Sequence, residues 1–318
     1  MQFAAVFPGQ GSQSLGMLAE LFSQYSEVGD TFQEGSEVVG KDLWNLTTEE
    51  SGIELLNQTE NTQPIMLAAG IAVWRIWLSQ GGCKPVSMAG HSLGEYSALV
   101  AAGVLDFKSA AKLVAERARL MQQAVPEGSG AMAAILGLDD EVIVKICTET
   151  SVTNGVVEAV NFNSPGQVVI AGDASSVDVA IEKLIEAGAK RAIKLPVSVP
   201  SHCSLMKDAA EQLDKVLTET SFQESDSVEK IPVIQNVEAE SYNSIKEIQE
   251  ALSKQLYKPV RWVDTINNLH EKKGADTIIE FGPGKILFGL NRRINRKLGN
   301  VCISDQASLE KALEMCQL

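Results

Sequence analysis

Gly90-His91-Ser92-Leu93-Gly94 fits Gly-x-Ser-x-Gly, the pattern of a nucleophile elbow, in which a sharp strand-to-helix turn lifts a serine hydroxyl out of the backbone. Glycines two residues to either side are needed because a Cβ there would collide with the turn. A short apolar run precedes the pattern, and Glu95-Tyr-Ser-Ala-Leu-Val-Ala-Ala continues it as a helix. The plainer reading of the same five residues is a structural glycine-rich turn. As a nucleophile Ser92 needs a base, and the chain holds three histidines. His91 is its chain neighbour, and neighbours on a turn diverge, so His91 reads as a packing residue. His270, in Asn-Leu-His-Glu-Lys-Lys, reads as the surface of a helix end. His202, in Val-Ser-Val-Pro-Ser-His-Cys, is the base by elimination, and serine before histidine is the order of hydrolase-like α/β folds. Spacing names no third, orienting group.

Arg117 is the next residue with chemistry in it. On a helix from Asp106, the 3.6-residue period puts Leu113, Val114, Arg117, Leu120, Met121 and Ala124 on one face, with Lys112, Arg119 and Gln123 opposite. An arginine within an apolar stripe cannot shed its charge and needs an anionic partner. That partner is either a protein carboxylate or a carboxylate on a substrate, which the guanidinium fork would grip.

Two further segments could bind anions. Phe7-Pro-Gly-Gln-Gly-Ser-Gln13 is a glycine-rich loop, but Ser14 stands where a dinucleotide fingerprint needs its third glycine, and Met17 where a phosphate loop needs lysine. Its backbone N–H groups could instead face the nucleophile. Glu280-Phe-Gly-Pro-Gly-Lys285 opens a helix carrying Arg292, Arg293, Arg296 and Lys297, either a solvated face or a docking patch.

The elements that must position these residues alternate strand-like and helical runs, which predicts an α/β fold with a parallel sheet. Strands are predicted at 3–7, 86–89, 231–236 and 277–281, and helices at 64–80, 106–124, 244–256 and 285–298. The charged stretch 223–230 reads as a surface loop. The middle differs: strand 131–137, helix 140–148, strands 156–161 and 167–171, helix 176–187 and strand 191–197. That βαββαβ order is the ferredoxin-like unit. It predicts a small inserted domain, residues 128–197, within a large hydrolase-like domain, residues 1–127 and 198–318, with a ligand cleft between them.

Composition narrows the class. Of 318 residues 45% are hydrophobic and 21% charged, ordinary globular values that need no disulfide or metal staple. Lys plus Arg number 27 and Asp plus Glu 41, a net charge of −14 that disfavours nucleic-acid binding. The five cysteines are widely spaced without metal-ligand patterns, which predicts reduced thiols. The start MQFAAVFPGQG reads as a strand rather than a signal peptide, and the most apolar stretch, 65–78, contains Arg75 and is too short to span a bilayer. A soluble cytoplasmic protein with no membrane association is expected, monomeric by default.

Together these segments resemble the bacterial malonyl-CoA:acyl carrier protein transacylases of type II fatty acid synthesis. The strings that carry the resemblance are Phe-Pro-Gly-Gln-Gly-Ser-Gln at 7–13, Gly-His-Ser-Leu-Gly-Glu-Tyr-Ser-Ala-Leu at 90–99, Asn-Phe-Asn-Ser-Pro-Gly-Gln-Val-Val-Ile-Ala-Gly at 161–172, Val-Pro-Ser-His at 199–202 and Phe-Gly-Pro-Gly at 281–284. The resemblance implies a hydrolase-like α/β domain with a ferredoxin-like insert, and an acyltransferase passing malonyl from malonyl-CoA to the phosphopantetheine thiol of holo acyl carrier protein. It implies Ser92 as the acylated residue and His202 as its base. The Gln10 and Leu93 amides would form the oxyanion hole, Arg117 would hold the malonyl carboxylate, and the Gln255 carbonyl would orient the histidine. It implies no metal or redox cofactor, the coenzyme A thioester being a substrate. Carrier proteins of this family are acidic, so a local basic landing zone is expected: Lys285, Arg292, Arg293 and Arg296, or else Lys190, Arg191 and Lys194. Ser201 is small where related polyketide-synthase domains that select malonyl often have Phe, so their acyl selector does not transfer. The competing readings are a serine thioesterase or esterase using the same Ser-His pair, and a non-catalytic carrier-protein-binding module.

Overall fold

In the computed structural model, described for residues 1–48, 52–197, 199–223 and 231–316, the chain builds two sheets. The larger contains five parallel strands, β1 (Phe3–Phe7), β2 (Ser87–Gly90), β7 (Val233–Ile234), β8 (Thr277–Phe281) and β9 (Gly299–Ile303), in the order β7-β2-β1-β8-β9. β1 and β8 are buried along their whole length, and their near-continuous apolar runs are what a parallel sheet covered on both faces requires. β1 pairs with β2 on one side and β8 on the other: the chain runs outward from β1 through β2 to β7, then crosses back to add β8 and β9 on the opposite side. Phe7 and Gly90 are register partners there, and the loops that follow them form the crevice where open α/β sheets bind ligands.

Two helices behind this crevice matter most. Thr59–Ser79 is apolar nearly all round and buried on most of its surface, as a central core helix must be. Phe107–Gln123 starts on Asp106, whose side chain accepts from Ser109 N at 2.9 Å. It buries Leu113, Val114, Arg117, Leu120 and Met121 and leaves Arg119 outside, paired with Glu116.

The smaller sheet is antiparallel: β3 (Gly130–Leu136), β4 (Val157–Ser164), β5 (Gln167–Asp173) and β6 (Arg191–Lys194), in the order β4-β5-β3-β6. Helices Asp140–Asn154 and Ala174–Glu186 cover one face through Ile143, Cys147, Val177, Ala180 and Leu184. The third strand of the unit lies between the first and the second, and the fourth pairs with the first on its other side, which is the ferredoxin-like order. On its outer edge β4 is bridged to Val260 of the larger unit, Val260 N to Val160 O at 2.8 Å and Phe162 N to Val260 O at 3.0 Å. An edge strand that would otherwise expose its amides is thereby covered.

Several expectations need correction. The strand expected at 231–236 stops at Ile234, because Gln235 N turns back to Glu240 O. The helix expected at 285–298 spans only Ile286–Ile294; Asn295 is extended, so Arg296 and Lys297 sit beyond the helix, before β9. β9 and the Gln306–Cys316 helix were absent from the expected elements. β6 ends at Lys194, two residues before Pro196. The expected loop 223–230 lies, but for Gln223, outside the described residues. The reading of all five cysteines as free thiols is overturned for two of them. Cys83 and Cys316 form a disulfide with their Cα atoms 5.8 Å apart, while Cys147, Cys203 and Cys302 are free and buried. A separation of 233 residues gives no local sequence signal for that pairing. Among the described residues no helix is long and apolar enough to cross a membrane.

Candidate active site

The elbow has the geometry its glycines permit. Ser92 sits at φ 52°, the left-handed region that non-glycine residues rarely occupy. A Cβ on Gly90 would lie 1.8 Å from the Gly94 carbonyl carbon, and one on Gly94 2.1 Å from Phe7 O, so neither glycine can be replaced without moving backbone. The Gly94–Ala101 helix begins at once, pointing its positive end at the turn. Gly9 of the first loop packs on the His91 carbonyl so closely that a Cβ would come within 2.4 Å of it, which brings Gln10 beside Ser92.

Ser92 Oγ lies 2.8 Å from His202 Nε2. His202 Nδ1 lies 2.6 Å from the Gln255 backbone oxygen, an acceptor only, so Nδ1 carries the proton and Nε2 is the lone pair facing the hydroxyl. The third group of the triad is thus a carbonyl, which explains why spacing showed no acid. His202 is buried and its backbone N–H donates to Leu256 O at 2.8 Å, so residues 255 and 256 fix both ends of it. Burial, followed by the charge of Arg117, pushes the His202 imidazole down to about 3, so it is neutral at physiological pH.

Arg117 is 1% exposed. Nη1 donates to Gln63 Oε1 at 2.7 Å; Nη2 donates to Gln255 Oε1 at 2.8 Å and to Ser92 Oγ at 3.2 Å. Its guanidinium carbon is 5.5 Å from the Tyr96 ring centroid. Among the described residues no carboxylate pairs with it directly, and its Nε is buried without a partner. Of the two readings left open for this residue, the direct protein salt bridge is therefore absent. Burial pulls the Arg117 pKa below its usual value, yet a guanidinium stays charged.

These groups open into a cavity of about 250 Å³ between the two sheets, walled by Gln10 and Leu93, by Met132 and Asn161 of the small unit, and by Leu287 and Leu290. Among the described residues no hydrogen bond occupies the Gln10 or Leu93 backbone amide. Both loops therefore offer free donors beside the nucleophile. No group of three or more potential metal ligands occurs among the described residues. All six residues singled out from sequence and resemblance (Ser92, His202, Arg117, Gln10, Leu93 and Gln255) thus meet in one site. His91 packs as expected, against Trp262, and its Nε2 also reaches Asn163 Oδ1 at 2.8 Å across the cleft. His270 is tied to Ala275 O at 2.8 Å. Gln63, Glu95 and Asn236 were missed. Glu95 alone carried a usable signal, a carboxylate within an apolar helix.

A parallel-sheet hydrolase-like frame with a Ser-His pair at its elbow and a second small sheet over the crevice has the architecture of a serine enzyme that acts on acyl groups. The chain matches the acyl transferase domain family over residues 5–293. It is 50% identical over 312 residues to the malonyl CoA-acyl carrier protein transacylase of Salmonella typhimurium, covering 98% of this chain and 99% of that one. It superposes on the acyl carrier protein S-malonyltransferase of Vibrio cholerae with a TM-score of 0.92, at 53% identity over 98% of this chain and 99% of that one. A malonyl-transacylase in complex with its type II polyketide-synthase acyl carrier protein gives a TM-score of 0.94, at 51% identity over 99% and 100%. The chain belongs to the malonyl CoA-acyl carrier protein transacylase family.

Proposed function

We propose that this chain moves a malonyl group from malonyl-CoA to the phosphopantetheine thiol of holo acyl carrier protein through a malonyl-Ser92 intermediate. His202 Nε2 takes the Ser92 proton as Oγ attacks the thioester carbonyl. The tetrahedral oxyanion rests on the Gln10 and Leu93 amides, where losing one donor typically costs about 3 kcal/mol. The carbon–sulfur bond breaks and the coenzyme A thiolate takes the proton from His202. In the second half the carrier thiol gives its proton to His202 and attacks malonyl-Ser92, and the Ser92 oxygen leaves with that proton.

The observation that carries this reading is the buried Arg117 guanidinium, within 3.2 Å of the nucleophile and held only by neutral acceptors. A fixed cation so placed suits an acyl group with a free carboxylate and serves no purpose for a simple ester. Neutralising Arg117 with that carboxylate also removes a charge that depresses His202, so the right substrate strengthens its own base.

Intact-protein mass spectrometry after brief mixing with malonyl-CoA tests it. A malonyl-sized adduct on wild type, absent from Ser92→Ala and discharged by holo acyl carrier protein, is expected. Release of free malonate and coenzyme A without a transferable adduct would make the chain a thioesterase instead.

A further inference from the structure

Neither His202 nor Arg117 accounts for the strained turn that presents Ser92. The Asn236 side chain spans it: Oδ1 accepts from Ser92 N at 2.7 Å and Nδ2 donates to Gly90 O at 2.6 Å. Asn236 thereby ties the last residue of β2 to the nucleophile across His91. Its own backbone N–H donates to Glu95 Oε2 at 2.8 Å, and that same oxygen accepts from Gln255 Nε2 at 3.0 Å. Gln255 Nε2 also donates to Ser92 O at 3.0 Å, while its carbonyl receives His202 and its Oε1 receives Arg117. One carboxylate oxygen thus gathers the groups that hold the nucleophile, the base and the guanidinium. Glu95 and Asn236 are both fully buried. A carboxylate taken out of water costs stability that an apolar side chain in the same helix would not, so packing gives no reason for it.

We propose that Glu95 and Asn236 are a positioning pair: Asn236 clamps the Ser92 turn, and Glu95 Oε2 fixes Asn236 and Gln255 so that Ser92 Oγ, His202 Nε2 and Arg117 converge. The pair touches none of the reacting atoms. The inference rests on Ser92 as the acylated residue, and it requires the reach of an acceptor oxygen at position 95 rather than a charge there.

Two reactions on the full-length protein separate this from the transferase reading. One is malonyl-Ser92 formation, timed by quenched-flow mass spectrometry over a range of malonyl-CoA concentrations. The other is phosphonylation of Ser92 by a small alkyl fluorophosphonate, which needs the elbow but has no carboxylate for Arg117. In Asn236→Ala and in Glu95→Asp, which retracts the oxygen by one methylene, the maximal acylation rate should fall about 10- to 100-fold, the scale of a misplaced reacting group. The half-saturating malonyl-CoA concentration should stay within about threefold, and phosphonylation should slow in parallel. Glu95→Gln keeps an acceptor at full reach and should acylate at least about ten times faster than Glu95→Asp. Full-rate acylation by Asn236→Ala, a loss seen only in half-saturation, or Glu95→Gln no faster than Glu95→Asp would overturn the proposal. Should Asn236→Ala fail to fold, the Gln-against-Asp comparison decides. Wild type that is phosphonylated but never malonylated counts against the transferase reading alone, and the phosphonylation rates still decide on the pair.

Discussion

Arg117 touches the nucleophile as well as the space a malonyl carboxylate would fill, so its two contributions must be separated. A charge-assisted hydrogen bond contributes about 1.5–3 kcal/mol, and a two-pronged grip therefore favours malonyl over acetyl by about 100-fold or more. Arg117→Ala also strips a donor from Ser92 Oγ, so absolute rates with either thioester should fall. The ratio is the diagnostic quantity: malonyl transfer should drop at least about 100-fold further than acetyl transfer in competition assays with both thioesters. An unchanged ratio would remove Arg117 from substrate recognition. At this scale the sequence was legible wherever a residue broke a local pattern. Ser92 stood in a motif, His202 was one of three histidines, and Arg117 interrupted an apolar face. Gln255 came only through the resemblance, because a backbone carbonyl leaves no side-chain signature. Asn236 lay in a run that read as strand until tertiary contacts turned it, and nothing local marked it.

Elements carry the site through their ends. Glu280, buried in β8, accepts from Leu287 N at 3.2 Å and Phe288 N at 2.8 Å, and so caps the Ile286–Ile294 helix that walls the cavity. Burial lifts its carboxyl from 4.5 to about 7. Between those values the folded protein holds a proton that the unfolded chain has released, so this group stabilises fully at low pH and loses its contribution as pH rises through about 7. Glu280→Gln cannot ionise. Its stability relative to wild type should therefore improve between pH 4.5 and 7.5, by up to about 3 kcal/mol. Glu95, also raised to about 7, and His202, lowered to about 3, are present in both proteins and cancel in the difference. Denaturant melts at several pH values measure it, and parallel curves would show that Glu280 does not titrate on folding. Helix ends were also where sequence reading was weakest. Pro64 looked like the start of a helix that begins at Thr59, because Asn61 and Thr62 side chains secure the turn before it by bonding Leu55 O and Leu56 O. That early turn delivers Gln63 to Arg117.

The whole molecule closes its cleft with cross-links between the two units: His91 to Asn163, Arg293 to Gln167, and the Val260 bridge to β4. These same contacts decide which basic residues are available to an acidic partner. Lys194 is paired with Asp178 at 2.6 Å, and Arg293 is engaged with Gln167, so both already have structural work. Arg292 lies over Phe288, 5.7 Å from the ring centroid, and is exposed in the last turn of the helix that walls the cavity, with Arg296 exposed just beyond that helix's end. On a chain of net charge −14, an acidic carrier protein is repelled except where such residues create a local positive field. Reversing both (Arg292→Glu with Arg296→Glu) should raise the carrier-protein KM about tenfold at low salt, and less at 0.5 M, where screening shortens the field to a few ångströms. Malonyl-Ser92 formation from malonyl-CoA should change less than about twofold, since neither residue reaches the nucleophile. Steady-state transfer and single-turnover acylation, measured at two salt concentrations, separate the half-reactions. If both slow equally, the patch steers the phosphates of coenzyme A as much as the carrier, and the landing zone must be sought at Lys190 and Arg191, where β6 begins.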